Sequence, residues 1–184
     1  RLIRVIDEIG ELMFEPRIVA FLCSWCSYTG ADTAGIARLK SPANIRAIRV
    51  PCSGRVSPEL VMRAFDQGAD GVLVLGCHIG ECHYDTGNHR AAKRLPVLNN
   101  LMSFVGLEPG RLHLDWVSAS EGERFSRIAT EFTETVRALG PAKWRVAPGA
   151  WQVAAESILP EPTARFRKSE PGKPARLKRS SIIP

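Results

Sequence analysis

The chain has 184 residues, 45% of them apolar and 24% charged, which suffices for one ordinary domain with a real core plus a remainder and excludes a disordered chain. The formal charge of +6 first suggests nucleic acid, but residues 1–140 hold sixteen basic and sixteen acidic side chains, so the excess belongs to residues 141–184, with nine against three. Five cysteines, an odd count without a secretory leader, argue against a fully paired disulfide framework, and no apolar run approaches the roughly 18–20 residues of a membrane span, so a soluble protein is expected.

Residues 1–16 read as an amphipathic lead-in, with Leu2, Ile3, Val5, Ile6, Ile9, Leu12 and Met13 at helix-like spacing up to Pro16. The run Ile18–Leu22 then predicts a buried parallel strand ending at Cys23. A first helix is expected over about Asp32–Leu39, capped by Asp32 or Thr33. Ile45–Val50, interrupted by Arg46 and Arg49, predicts an edge strand that ends at Pro51-Cys52. Ser57-Pro58-Glu59 is a helix start, with Val61, Ala64 and Phe65 on one face and Gly68 as its stop.

Gly71–Gly76 is the most apolar strand and should lie centrally, ending at Cys77. A helix over about Asn88–Phe104 contains Pro96, which predicts a kink or a break. Leu112–Val117 alternates as an edge strand does, and Ser120-Glu121-Gly122-Glu123 has the form of a capping box. Phe125, Ile128, Ala129, Phe132, Val136 and Leu139 make the stripe of a last helix that stops at Gly140-Pro141. Four strand–helix repeats imply right-handed crossovers and an α/β fold: a small four-stranded parallel sheet of order 2-1-3-4, a flavodoxin-like or Rossmann-like sandwich. The domain is expected over 17–140. Residues 141–184, rich in proline and basic residues, read as an extended tail, either a polybasic arm for an acidic partner or a solvated extension.

All five cysteines, Cys23, Cys26, Cys52, Cys77 and Cys82, fall at the carboxyl ends of the first three strands, where such sheets bind ligands. Buried structural thiols account for one or two of them. Cys23-x2-Cys26 has zinc-knuckle spacing, but a second such pair is missing. Cys23-Ser24-Trp25-Cys26 after a strand also fits thiol–disulfide chemistry, which leaves the other three unused. An iron–sulfur cluster takes four thiolates, two per iron in a [2Fe-2S] centre, and leaves one spare.

His78 and His83 each directly follow a cysteine, so neighbouring side chains diverge; they and His89 are expected as hydrogen-bonding loop residues rather than ligands. Arg55, Arg90, Lys93 and Arg94 lie near the thiol loops, where positive charge favours a reduced cluster, or else form a solvated face. Gly30, Gly54, Gly76, Gly80 and Gly87 allow close backbone approach and amide hydrogen bonds to sulfur. Neither a dinucleotide fingerprint nor a P-loop is present, and no Ser-His-Asp spacing is indicated.

The segments Phe21–Asp32 (FLCSWCSYTGAD), Val50–Val56 (VPCSGRV), Gly71–Tyr84 (GVLVLGCHIGECHY) and Asp115–Glu123 (DWVSASEGE) resemble the delta subunit of methyl-viologen-reducing hydrogenase over about residues 15–140. That resemblance implies a [2Fe-2S] cluster held by four of the five cysteines and no catalytic site of the chain's own. It implies a cytoplasmic hetero-oligomer of anaerobes, relaying electrons between a hydrogenase, or a formate dehydrogenase, and the flavin-bearing subunit of heterodisulfide reductase or of its homologues. Neither nucleic acid nor membrane is an expected partner. Trp25, Tyr28, His83 and Tyr84 would frame the docking face. From the residues alone, a thiol–disulfide oxidoreductase using Cys23 and Cys26 and a zinc-stabilised binding module remain the competing readings.

Overall fold

In a computed structural model, residues 14–144 form strands β1 (Ile18–Cys23), β2 (Ile45–Val50), β3 (Gly71–Gly76) and β4 (Leu112–Trp116), and helices α1 (Ser27–Ile36), α2 (Pro58–Asp66), α3 (Gly87–Phe104) and α4 (Gly122–Leu139). These are the residues that the structure describes; most of the expected lead-in and of the basic tail lies outside them. All pairings are parallel in the order β2-β1-β3-β4, as expected, with Ile18 opposite both Ile45 and Gly71, and Val72 opposite Leu112. The two continuous apolar runs are central because only there are both faces covered.

Strand alternation divides the core into two layers. Val72 and Val74 join Phe21, Val61, Phe65, Leu95 and Met102 under α2 and α3, whereas Leu73 and Leu75 join Ile18, Leu22, Phe125 and Phe132 under α1 and α4. The edge strands β2 and β4 keep exposed or half-exposed positions.

Three local expectations need correction. Helix α1 begins at Ser27, five residues before the expected Asp32, with no side-chain cap at Cys26. Its Gly30 lies so near the Ser118 carbonyl that a Cβ would come within 2.8 Å, so packing against the β4–α4 loop fixes this turn. The capping box is not formed at α4: Glu121 is the capping residue, and its carboxylate accepts the Ser118 amide at 2.8 Å. Helix α3 runs unbroken through Pro96, which sits on its exposed side, where water can meet the carbonyl released by the missing amide. Helix α2 starts as expected, with the Ser57 hydroxyl accepting the Leu60 amide.

At the amino-terminal end of the sheet, the fully buried Arg111 donates to the carbonyls of Asp70, Leu139 and Gly140 and to Glu108. The Asp70 carboxylate accepts the amides of Arg17 and Ala142. This latch ties the first and last described segments together at one pole, and the thiols lie at the other. Among the described residues no helix is long and apolar enough to cross a membrane.

Candidate metal centre

Each sulfur is placed by a strand end or by the loop that follows it. Cys23 closes β1, where the buried Ser27 hydroxyl accepts the Cys23 amide at 2.8 Å and donates to the Leu75 carbonyl at 2.7 Å, locking the ends of β1 and β3 together. Cys77 follows β3, and the fully buried Asn88 side chain donates to the carbonyls of Cys77 (3.3 Å) and His78 (2.6 Å), fastening that loop to the start of α3. Cys52 precedes the short 3-10 turn Ser53–Arg55, and Cys82 sits in the loop before α3.

Three loops distant in sequence therefore converge, and all five cysteines are buried and free of disulfides. Cys23 Sγ and Cys77 Sγ are 3.8 Å apart, and Cys52 Sγ and Cys82 Sγ are 3.7 Å apart. Cys26 joins Cys23 and Cys77 in a triad whose sulfurs all lie within 4.8 Å of one another. A tetrahedral metal with bonds to sulfur of about 2.3 Å separates neighbouring sulfurs by about 3.8 Å. Both close pairs thus have the spacing of two thiolates on one metal.

The amides around the sulfurs fit anionic thiolates. Gly54 donates to Cys52 Sγ at 3.5 Å. Burial pushes Cys82 up, but the amides of Tyr84, Asn88 and Gly87 outweigh it and hold the thiol below its usual value. The Cys26 thiol, donating to Cys23, brings Cys23 down to about 5 against the effect of burial, and the same contact holds Cys26 far above its usual range. Burial raises Cys52 to about 11 and also raises Cys77.

Gly87 fixes the approach of α3 to this cradle. A Cβ there would overlap Cys52 Sγ and come within 3.1 Å of Cys82 Sγ, and a Cβ on Gly54 would meet the Gly87 carbonyl oxygen at 2.6 Å. Only paired glycines let these two loops pass so closely.

Around the sulfurs, Trp25 stacks on His83 at 3.7 Å and its indole donates to the Tyr84 hydroxyl at 3.3 Å, bridging the first and third thiol loops at the surface. Tyr28 is not part of this bracket; it faces Arg49 instead. His78 turns away to the Glu121 carboxylate at 2.6 Å. The Ser118 amide and His78 together hold Glu121 down to about 2. Arg94 donates to the carbonyls of Gly54 and Val56, whereas Arg55 and Arg90 line an open cleft of about 320 Å³ beside Cys52. Ser27, Asn88 and Glu121 are site-building residues that spacing alone did not single out. Their signal is adjacency, since each lies within a few residues of a thiol or of a helix start.

Residues 18–140 match the family described as methyl-viologen-reducing hydrogenase, delta subunit. The chain belongs to that family. It is 49% identical over 131 residues to an iron–sulfur subunit of F420-non-reducing hydrogenase from Archaeoglobus profundus, covering 71% of this chain and 96% of the relative. A Methanococcus voltae relative of the same kind is 47% identical over 128 residues, covering 70% of this chain and 89% of the relative. The chain is also 52% identical over 126 residues, 68% of its length, to one of the subunits of ferredoxin:CoB-CoM heterodisulfide reductase from Methanosarcina mazei, where the matched stretch makes up only 16% of a longer protein.

Proposed function

We propose that this family member is an electron-transfer subunit whose thiols hold a [2Fe-2S] centre, Cys23 and Cys77 holding one iron and Cys52 and Cys82 the other. The observation carrying the reading is the pair of sulfur contacts at 3.8 and 3.7 Å, each the edge of a metal tetrahedron. When bound, such a centre supplies one-electron transfer without proton or group chemistry. The chain's own part is to bind and bury it. Ser27 and Asn88 hold the strand ends, the amides of Gly54, Tyr84 and Gly87 donate to sulfur, and Gly87 makes room for Cys52. No catalytic residue is assigned.

The relatives' names support a partnership with a hydrogenase and with the flavin-bearing subunit of heterodisulfide reductase. A cytoplasmic location, and a formate dehydrogenase in place of the hydrogenase, are part of the same proposal.

Anaerobic purification followed by iron and acid-labile sulfide analysis tests this. The expected result is about two of each per chain, with a rhombic EPR signal after dithionite reduction. Zinc, or no metal, overturns it.

One observation favours a second reading. The thiol of Cys23, drawn down to about 5 beside Cys26, resembles an activated dithiol. Against it stands access: Cys23 is 1% and Cys26 6% exposed, and a nucleophilic thiol must be reached by its substrate. A metal-free chain that reduces an insulin disulfide through these two residues would favour that reading.

A further inference from the structure

Helix α3 carries a second stripe that the core does not use. Ala91, Leu95, Leu98 and Met102 face the sheet, while Arg90, Lys93, Val97, Leu101 and Phe104 recur at spacings of three and four on the opposite side. Val97 is 59% exposed, Leu101 56% and Phe104 87%, and Val105 just beyond the helix is 50% exposed. Single exposed apolar side chains are ordinary, but four in one row are an unpartnered face. A groove of about 420 Å³ runs along it from Arg90 to Leu101, with Pro58 of α2 as part of its wall.

The charge of this face is one-sided. The 18 residues of α3 include three basic and no acidic side chains, although residues 1–140 as a whole are electrically balanced. Its amino end is also the wall of the thiol cradle, since Gly87 abuts Cys52 and Arg90 lines the cleft beside it.

We infer that this face of α3 docks the protein that exchanges electrons with the centre, through a partner surface with an apolar ridge edged by carboxylates. The inference rests on the proposed electron-transfer role. Charge and continuity select the occupant: a surface that covers Val97, Leu101 and Phe104 while pairing with Arg90 and Lys93 is brought up against the thiol pole, where transfer must occur. A second copy in a symmetric contact would set basic stripe against basic stripe.

The test uses the full chain loaded with its iron–sulfur centre, and as probes a purified hydrogenase and the purified flavin-bearing subunit of heterodisulfide reductase, each measured separately. Leu101→Asp and Lys93→Glu change exposed side chains, so the EPR signal should match that of the unaltered chain. Leu101→Asp should weaken binding to one of the two partners by at least about tenfold. Lys93→Glu should weaken the same partner and flatten the salt dependence of its binding. Variant affinities within about twofold of the unaltered chain for both partners would overturn the docking assignment while leaving the electron-transfer reading intact. An unaltered chain that binds neither partner would overturn both. Concentration-dependent dimerisation abolished by Leu101→Asp would overturn the assignment in favour of a second copy.

Discussion

Cys26 is the sulfur that the two close pairs leave over, and it lies within the same 4.8 Å triad as Cys23 and Cys77. Its exclusion from the proposed ligand set has a direct consequence. Cys26→Ser should retain iron and the reduced EPR signal, whereas Cys52→Ser or Cys77→Ser should lose or transform it; signal loss in Cys26→Ser alone would reverse the assignment. Asn88 illustrates a different kind of dependence. Its amide satisfies two carbonyls while completely buried, so Asn88→Ala should cost about 1–3 kcal/mol, read as a lower urea midpoint. Glu121 ties stability to pH. Its carboxyl is lowered from 4.5 to about 2 in the fold, so its ionised form stabilises the native state above pH 4.5, and that contribution is lost as pH falls through the window toward 2. Unfolding midpoints of Glu121→Gln and the unaltered chain should therefore differ at pH 6 and converge on acidification.

The strands were legible as elements because burial on two faces demands uninterrupted apolar runs, as in Ile18–Leu22 and Val72–Leu75, and half-burial produces the broken pattern of β2. Helix α1 was less legible. Ser27-Tyr28-Thr29-Gly30 carries no apolar period, and its start is set by contact with the loop before α4, which no local pattern encodes. At α4 the capping-box residues were visible, but Glu121 turns to Ser118 and His78 instead, a choice made by tertiary neighbours. The convergence of the thiols at the strand ends followed from topology, yet their division into a triad and a pair depends on rotamers and loop heights. The stacking of Trp25 on His83 joins positions 58 apart and left no local trace. Arg111, fully buried at the start of β4, was not singled out either, because its partners are carbonyls, which every residue has. Removing it orphans several of them at the end of α4, so Arg111→Met should lower stability by about 3 kcal/mol in urea unfolding without changing the EPR signal of the distant centre.

Across the whole domain, the sheet separates two jobs. Its carboxyl pole gathers the sulfurs, the aromatic bracket and the basic head of α3; its amino pole holds the Asp70–Arg111 latch, where the described chain both enters and leaves. A strand of six residues spans about 20 Å, so anything joined before Phe14 or after Trp144 starts roughly that far from the thiols. A covalently tethered redox partner would need a linker of at least about six extended residues to fold back onto the thiol pole. Beyond that minimum, each added residue dilutes the partner's effective local concentration, so tether length becomes an adjustable control on electron-transfer rate in chains where this domain is one module among several.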